Sequence, residues 1–197
     1  MPGPLDDAAL DQLFRTARTY NGYLPGVVTE ADIAAIYDLL KMGPTSANQQ
    51  SARFVWLLSQ EAKDRLADLA TGSNPPKIRA APACVIVAMD HDFHEQLPWL
   101  FPHTDARSWF TDDSEGRKVH AMRNSSLQGA YLILAARALG WDTGPMSGID
   151  YPAIDAAFFA DQPSVHTNFI CTIGHGDPAT IFERSPRPAF ERFNRVL

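Results

Sequence analysis

Arginines occur in two short segments whose side chains could bind a ligand. Arg184 and Arg187 lie near the end of the sequence on either side of a Ser-Pro pair. Guanidinium groups offer paired donors that match phosphate oxygens, so these two arginines are candidates for a phosphate clamp, with a solvated tail as the alternative. Arg18 and Thr19 stand at the end of a predicted helix, where the residues alone favour an arginine that stabilises a helix C-terminus.

Three further segments are polar or rich in glycine, namely residues 43–50, 71–77 and 140–148. The first carries hydroxyl and amide groups without a charge, which can hydrogen-bond both the donor and the acceptor edges of a neutral heterocycle. In the third, Gly144 and Gly148 allow the backbone to lie close to a flat ligand. The alternatives are an ordinary polar connection and a tight turn.

The motifs of several common enzyme classes are absent from the sequence. It has no G-x-G-x-x-G after a strand, no P-loop and no G-x-S-x-G nucleophile elbow. His91 and His94 are three residues apart, but no third ligand has a convincing spacing, so we expect surface histidines rather than a zinc site. No pair of carboxylates stands out as an acid/base couple. The sequence therefore gives no support to a hydrolase or a metalloenzyme.

The composition is that of a globular protein with an acidic charge balance. The 197 residues carry a formal net charge of −6, which argues against nucleic acid or an anionic membrane as the main partner. No apolar run approaches the roughly 20 residues of a membrane span, and the first residues lack a signal-peptide pattern. We therefore expect a cytoplasmic protein with a small-molecule ligand. Cys84 and Cys171 lie in apolar runs and are predicted to be reduced core thiols, with a disulfide as the alternative.

Periodicity predicts a single domain, residues 1–197, with helices wrapped around one sheet. One helix is predicted to begin after Thr29, whose spacing to Asp32 is that of a capping box, and to end at Gly43. The other predicted helices cover residues 5–18, 61–70, 117–139 and 154–159, and the predicted strands cover residues 53–58, 83–89 and 168–173.

Two parts of this pattern are unusual. Residues 90–116 are aromatic and have no clear period, which is typical of a functional loop or an interface. The long helix has one side of small residues, which suits either the centre of the fold or a dimer contact. These small residues are Ala121, Ser125, Gly129 and Ala136.

Taken together and in this order, the polar segments resemble one family, the FMN-dependent nitroreductases. The matching segments are residues 17–22, 43–48, 72–77, 97–110, 123–126, 140–148 and 173–177. The resemblance covers nearly the whole chain, and residues 97–103 and 105–110 are similar to the branch of malonic semialdehyde reductases of pyrimidine utilisation. It implies an α+β fold, a central and mainly antiparallel sheet flanked by helices, and an intertwined homodimer with FMN at each of two subunit interfaces.

The resemblance also implies which residues bind FMN. The phosphate would be bound by Arg18, Thr19, Arg184 and Arg187. The polar edge of the flavin would meet Asn74, Lys77 and Asn21, where Asn21 replaces a residue that is often basic in the family. One face of the ring would lie against Pro145, Met146, Ser147 and Gly148, with the backbone N–H of Ser147 near the reactive N5. The other subunit would contribute Pro44, Thr45, Ser46 and Asn48.

The implied activity is hydride transfer from NADH or NADPH through FMN to a small acceptor. One open face must serve donor and acceptor in turn, which predicts ping-pong kinetics. The acceptor would be malonic semialdehyde, reduced to 3-hydroxypropionate, or a nitroaromatic or quinone. Arg107, Trp109 and Phe110 are the candidate substrate residues; Arg107 would meet a carboxylate or, alternatively, form a structural ion pair. No catalytic side chain is assigned.

Two other classes of function remain as alternatives. One is a protein that stores or delivers FMN without turnover, which differs from the enzyme in that NADH would not bleach the bound flavin. The other is a metal-dependent hydrolase that uses His91, His94 and a further histidine, for which metal analysis of the purified protein is the test.

Overall fold

The computed structural model describes residues 3–197 as an α+β fold. The helices are α1 (Asp7–Leu10), α2 (Glu30–Leu40), α3 (Gln60–Ala67), α4 (Asn74–Ala80), α5 (Leu97–Leu100), α6 (Ser114–Ala138), α7 (Tyr151–Phe158) and α8 (Phe190–Phe193). The strands are β1 (Ala52–Leu57), β2 (Ala83–Asp90), β3 (Asp142–Met146) and β4 (Val165–Gly174). Among the described residues, no helix is both long and apolar enough to cross a membrane.

The strands form one sheet in the order β1-β2-β4-β3, and every neighbouring pair is antiparallel. The central strand β2 is buried along almost its whole length, because its apolar and β-branched residues face helices on both sides. The predicted central antiparallel sheet flanked by helices is therefore confirmed. Between Val87 and Ala88 of β2 the register shifts by one residue, which leaves Asn168 of β4 unpaired in a β-bulge.

Successive side chains of each strand point to opposite faces of the sheet, so the core consists of two layers. Cys84 and Ile86 point into the layer formed with α3, α4 and α7, whereas Val85 and Cys171 point into the layer formed with α2 and α6. The two cysteines thus lie on opposite faces of the sheet, and both are buried and free. The prediction of reduced core thiols is confirmed, because side chains on opposite faces cannot be joined by a disulfide.

Helix α6 faces the interior of the fold with its side of small residues. Ala121, Ser125, Gly129 and Ala136 are all buried within the chain. A Cβ on Gly129 would lie 2.4 Å from Cζ of Phe169 on β4, so the helix can approach the sheet this closely only with glycine there. Of the two roles predicted for the small side, the structure assigns the centre of the fold.

The predicted helix after Thr29 is confirmed, including both halves of its capping box. The Thr29 hydroxyl accepts from the Asp32 N–H at 3.2 Å, and the Thr29 N–H donates to Asp32 Oδ2 at 2.8 Å. The first predicted helix is shorter than expected, because α1 passes into a π-helical turn over Asp11–Arg15 and helical structure ends there.

Two predictions of irregular structure were wrong. Residues 74–80 form α4, which begins at Asn74 and has its two prolines in the first turn, where a missing N–H is tolerated. Residues 142–146 form β3, although this segment contains Gly144 and Pro145. Strand β3 lies at the edge of the sheet, where proline removes no ladder bond.

The aromatic segment between β2 and α6 is folded into short helical turns around a small core of its own. The buried members of this third cluster are Phe93, Leu97, Ala106, Phe110 and Ala121. Phe93 and Phe110 meet edge to face, with their ring centroids 5.1 Å apart. A local core therefore replaces regular secondary structure in fixing residues 90–113.

Candidate functional site

The arginines predicted to bind phosphate line one cavity of about 410 Å³, called the arginine cavity here. It joins the segment after the π-helical turn to the C-terminal segment. Its lining includes Arg18, Thr19, Asn21, Arg137, Glu183, Arg184 and Arg187. In a chain whose net charge is −6, four guanidinium groups beside one carboxylate form a local site for an anion.

Hydrogen bonds between the two segments hold them together. Arg18 donates to the carbonyl of Phe182, and Arg184 donates to the carbonyl of Ala17 at 2.9 Å. Asn21 donates to the Thr180 carbonyl at 2.9 Å. Since each bond uses only part of a side chain's donor capacity, the guanidinium groups keep further N–H groups for a ligand.

Arg137 is a member of this cavity that sequence reasoning missed. It lies in the last turn of α6, and its Nη1 donates to the Leu13 carbonyl at 2.9 Å. An arginine near a helix C-terminus has an ordinary electrostatic explanation, so only its proximity to Arg18 and Arg184 in space could have identified it.

A second group of predicted residues meets where β3 ends and α4 begins. The Asn74 amide donates to the Gly148 carbonyl at 3.1 Å, and the Thr71 N–H donates to the same oxygen at 2.9 Å. A Cβ on Gly148 would lie 2.7 Å from Asn74 Nδ2, so this position has room for backbone only. Lys77 follows one turn later on α4, half-buried and without an ion pair to any described residue.

Strand β3 connects the two groups. Its Thr143 pairs with Thr19 at the arginine cavity, and the strand ends at Met146, next to Ser147 and Gly148. Pro145 and Met146 are half-buried, and Ser147 is exposed. An edge strand therefore connects the cationic cavity to a tight turn that contains the exposed Ser147.

A third group of predicted residues, in residues 44–48, lies apart from the other two in this chain. Pro44, Ser46 and Asn48 are exposed, and no hydrogen bond joins this loop to the arginine cavity or to Gly148 within residues 3–197. Its contacts are with α6 and α5: the Ser46 N–H donates to Asn124 Oδ1, and the Asn48 amide donates to the Leu100 carbonyl, both at 2.8 Å.

Unusual backbone conformations hold this loop in shape. Ala47, Asn48 and Gln50 have φ values of 49°, 49° and 42°, in the left-handed region that non-glycine residues rarely adopt. The Thr45 hydroxyl accepts from the Gln50 N–H at 3.2 Å and closes the turn. Strained conformations of this kind persist where the surrounding contacts fix them, and they are common at ligand sites.

The three candidate substrate residues have different surroundings. Arg107 forms a two-pronged ion pair with Glu95, in which Nε–Oε2 and Nη2–Oε1 are both 2.7 Å. These bonds lower the pKa of Glu95 and raise that of Arg107. Trp109 is exposed, whereas Phe110 is buried in the third cluster and packs against Phe93 and His120. The structural ion pair considered for Arg107 is thus present, and Trp109 alone of the two aromatic candidates reaches the surface.

Comparison with known proteins identifies the family. The model of the nitroreductase family matches residues 5–175. A protein of Stenotrophomonas maltophilia strain R551-3 is 55% identical over 196 residues, covering 100% of both chains, and it has the provisional name NADH dehydrogenase/NAD(P)H nitroreductase. The chain belongs to the nitroreductase family.

Further relatives of this nitroreductase-family chain are consistent with that assignment. A Burkholderia lata protein with the same provisional name is 54% identical and covers 98% of both chains. Among solved structures, a nitroreductase-type protein of Bacillus subtilis aligns with a TM-score of 0.84 at 23% identity, over 96% of this chain and 99% of that one. One from Exiguobacterium sibiricum, solved in complex with FMN, aligns with a TM-score of 0.83 at 21% identity over 100% of both. At these identities the solved structures establish the shared fold alone.

The histidines of the nitroreductase-family chain correct one expectation. His94 is buried rather than on the surface, and its Nδ1 has no hydrogen-bond partner among the described residues. His91 is half-buried and stacks on His166 with ring centroids 4.4 Å apart. Burial lowers the pKa of both His91 and His94. Within residues 3–197, no group of three or more potential ligands is arranged to hold a metal ion.

Proposed function

We propose that this chain is an FMN-dependent oxidoreductase that takes reducing equivalents from NADH or NADPH and passes them to a small organic acceptor. Membership of the nitroreductase family supports the class of reaction. The name of the Stenotrophomonas relative, at 55% identity over the full length, supports a nicotinamide donor. The FMN complex of the Exiguobacterium protein supports the cofactor.

The observation that carries the proposal is the arginine cavity joined by β3 to the Asn74–Gly148 contact. The cavity offers the guanidinium groups of Arg18, Arg184 and Arg187 to a phosphate that is close to doubly charged at neutral pH. Beyond the other end of β3, the absence of a side chain at Gly148 lets the Asn74 amide approach the turn, and the exposed Ser147 beside it would be accessible to a flat ring. The residues present therefore fit FMN at both its charged and its aromatic end.

Each group would then have a separate task. Arg18, Thr19, Arg184 and Arg187 would bind the phosphate. Asn74 and Lys77 would orient the polar edge of the flavin, and a cation beside that edge favours the reduced form because reduction adds negative charge there. Asn21, held by Thr180, would close the side of the site between them.

Residues 145–148 would cover one face of the flavin and keep water from it. Pro145, Met146 and Gly148 present apolar atoms and backbone, and the Ser147 N–H would lie near N5. The Ser147 carbonyl already accepts from the Tyr151 hydroxyl at 3.0 Å, which fixes the orientation of this turn. Bound FMN supplies the hydride chemistry itself, so no acid, base or nucleophile from the chain is required for that step.

We further propose a homodimer in which Pro44, Thr45, Ser46 and Asn48 complete the site of the other subunit. These loop residues are largely exposed and unused by the site of their own chain. Exposed apolar side chains of α6 support the same idea: Val119, Met122 and Leu127 are 54%, 43% and 40% exposed. Exposed apolar residues on one helix can mark a subunit contact.

For the acceptor, we propose a small aldehyde with a carboxylate, of which malonic semialdehyde is the specific candidate. Trp109 would cover the open face, and Phe110 would support it from the third cluster. Arg107 would meet the carboxylate of the acceptor in competition with Glu95, its partner in this structure. Nitroaromatics and quinones, which have no carboxylate, would use the same open face without Arg107.

The test is an absorbance spectrum of the purified protein with FMN, followed by addition of NADH or NADPH without oxygen. We expect a flavin spectrum that bleaches, and that recovers when malonic semialdehyde, a quinone or a nitroaromatic is added. Flavin that binds but does not bleach with either nicotinamide would indicate a carrier of FMN. A protein that takes up no FMN would contradict the proposed function.

A further inference from the structure

Arg137 is the one arginine of the cavity that neither the segment containing Arg18 nor the C-terminal segment supplies. It comes from the last turn of α6, the longest helix of the described chain. Its surroundings differ from those of Arg184 and Arg187, which are exposed, because Arg137 is half-buried between α6 and the first helical segment.

Two hydrogen bonds join Arg137 to the first helical segment: Arg137 donates one and accepts the other. Its Nη1 donates to the Leu13 carbonyl at 2.9 Å, and its own carbonyl accepts from the Gln12 amide at 2.7 Å. Both Gln12 and Leu13 belong to the π-helical turn that leads to Arg18. A single π-helical turn is an uncommon feature that is often found at functional sites.

The remaining donors of Arg137 are not satisfied by the protein. Its Nε is buried and has no hydrogen-bond partner among residues 3–197. Burial lowers the pKa of Arg137, while the Asp142 carboxylate raises it and the positive charge of Arg184 lowers it. A half-buried guanidinium with a buried, unpaired N–H is unfavourable until an acceptor arrives. A phosphate in the cavity would supply that acceptor.

We propose that Arg137 is a further phosphate-binding residue, which makes the site select phosphorylated flavin over riboflavin and couples phosphate binding to the docking of the first helical segment. This inference rests on the proposed function for the identity of the ligand. It goes beyond that function by assigning selectivity to a residue of α6.

The first experiment compares FMN and riboflavin binding to the wild type and to Arg137→Met, which keeps an apolar stem and removes the charge. We expect the Kd of FMN to rise at least about tenfold and that of riboflavin to change less than about twofold, since only FMN carries the phosphate. Arg137→Lys keeps the charge and loses the fork of donors. Its Kd for FMN should lie between those of the wild type and Arg137→Met.

Arg65→Met is the matched control. Arg65 also donates from a guanidinium to a backbone carbonyl, that of Ala157, and lies over the ring of Phe158, but it is outside the cavity. Arg65→Met should leave the ratio of the Kd of FMN to the Kd of riboflavin unchanged. Equal weakening of FMN and riboflavin by both Arg137 variants would mean that Arg137 acts only through folding, and would overturn the proposal.

A second measurement uses inorganic phosphate and needs no flavin. Millimolar phosphate should raise the Tm of the apo wild type, and this rise should be much smaller in Arg137→Met and Arg137→Lys. If the wild type binds no flavin but shows this Arg137-dependent rise, the proposed cofactor is wrong and the role of Arg137 stands. If the rise is the same in all variants, or absent from the wild type, the role of Arg137 is wrong.

Discussion

Gly148 shows how a single missing side chain shapes the candidate site. A Cβ there would lie 2.7 Å from Asn74 Nδ2 and 3.3 Å from the Thr71 hydroxyl. The nearer atom is the end of a flexible side chain, so an added methyl group would displace the Asn74 amide rather than disrupt the fold. The contact between α4 and the end of β3 depends on glycine for its geometry.

Gly148→Ala should therefore weaken FMN binding by about tenfold, close to 1.4 kcal/mol, with little change in Tm. The displaced amide loses its bond to the Gly148 carbonyl and its position beside the flavin. Flavin fluorescence titration gives the Kd, and Gly26→Ala is the control because only the Leu24 carbonyl, at 4.0 Å, lies near that position. An unchanged Kd in Gly148→Ala would show that Asn74 does not contact the flavin.

Arg107 offers a test of the acceptor at the same scale. Its guanidinium is held by Glu95 in a two-pronged ion pair, so a carboxylate acceptor must compete for it. Arg107→Ala should raise the KM for malonic semialdehyde and leave that for a neutral nitroaromatic unchanged, whereas Glu95→Gln should lower the KM for the semialdehyde. If neither variant alters either KM, the ion pair with Glu95 is the whole role of Arg107.

Among single residues, the sequence identified those whose chemistry is visible locally. Arg184 and Arg187 could be connected with a phosphate because two arginines three residues apart beside a proline suggest such a ligand, whereas Arg18 could be connected only through the family resemblance; all three line one cavity. Arg137 could not be found in this way, since its neighbours in space, Leu13 and Arg184, are 124 and 47 positions away. The burial of His94 and Phe110 was equally hidden, because it depends on how residues 90–113 fold around their own small core.

At the scale of elements, α2 was predicted well because its start signal is local. Thr29 and Asp32 satisfy each other's backbone groups whatever the rest of the chain does. Helix α4 and strand β3 were missed for the opposite reason. Two successive prolines in α4 and the Gly-Pro pair of β3 resemble loop signals, and only the position of α4's prolines in its first turn and of β3 at the sheet edge makes them compatible with regular structure.

The capping box gives a pH-dependent test at this scale. The hydrogen bonds from Thr29 lower the pKa of Asp32 below its usual value, so they stabilise the fold above the unfolded-state pKa of about 4 and are lost as the pH falls. Thr29→Ala should reduce the free energy of unfolding by about 1 kcal/mol at pH 7 and by less at acid pH.

Urea denaturation at several pH values measures this change. Thr104→Ala is the control, because Thr104 is exposed and its hydroxyl makes no hydrogen bond within the described chain. A loss of stability that is the same at pH 7 and at acid pH would mean that Asp32 takes no part in the cap.

At the scale of the whole molecule, α6 has both buried and exposed apolar residues. Its Ser125 and Gly129 are buried, whereas Val119, Met122 and Leu127 are exposed. The burial of the small residues agrees with the predicted place at the centre of the fold, and the dimer contact stays a proposal. The sequence could not separate the two roles, since small, polar and large apolar residues are interspersed along α6.

Leu127→Glu should convert the proposed dimer into monomers and weaken FMN binding, because residues 44–48 of the other subunit would no longer reach the site. Sedimentation velocity gives the mass, and the same sample can be titrated with FMN. Val27→Glu, at a position that is 76% exposed before α2, is the control. A dimer that persists in Leu127→Glu would place the subunit contact away from this part of α6.

The two cysteines have a practical consequence. Burial raises the pKa of Cys171 to about 12 and raises that of Cys84 as well, so neither is a thiolate at neutral pH. Each lies in a different layer of the core. An alkylating reagent can therefore react only when its layer opens, and the labelling rates of Cys84 and Cys171, read by mass spectrometry, would report whether the two sides of the sheet unfold together or one before the other.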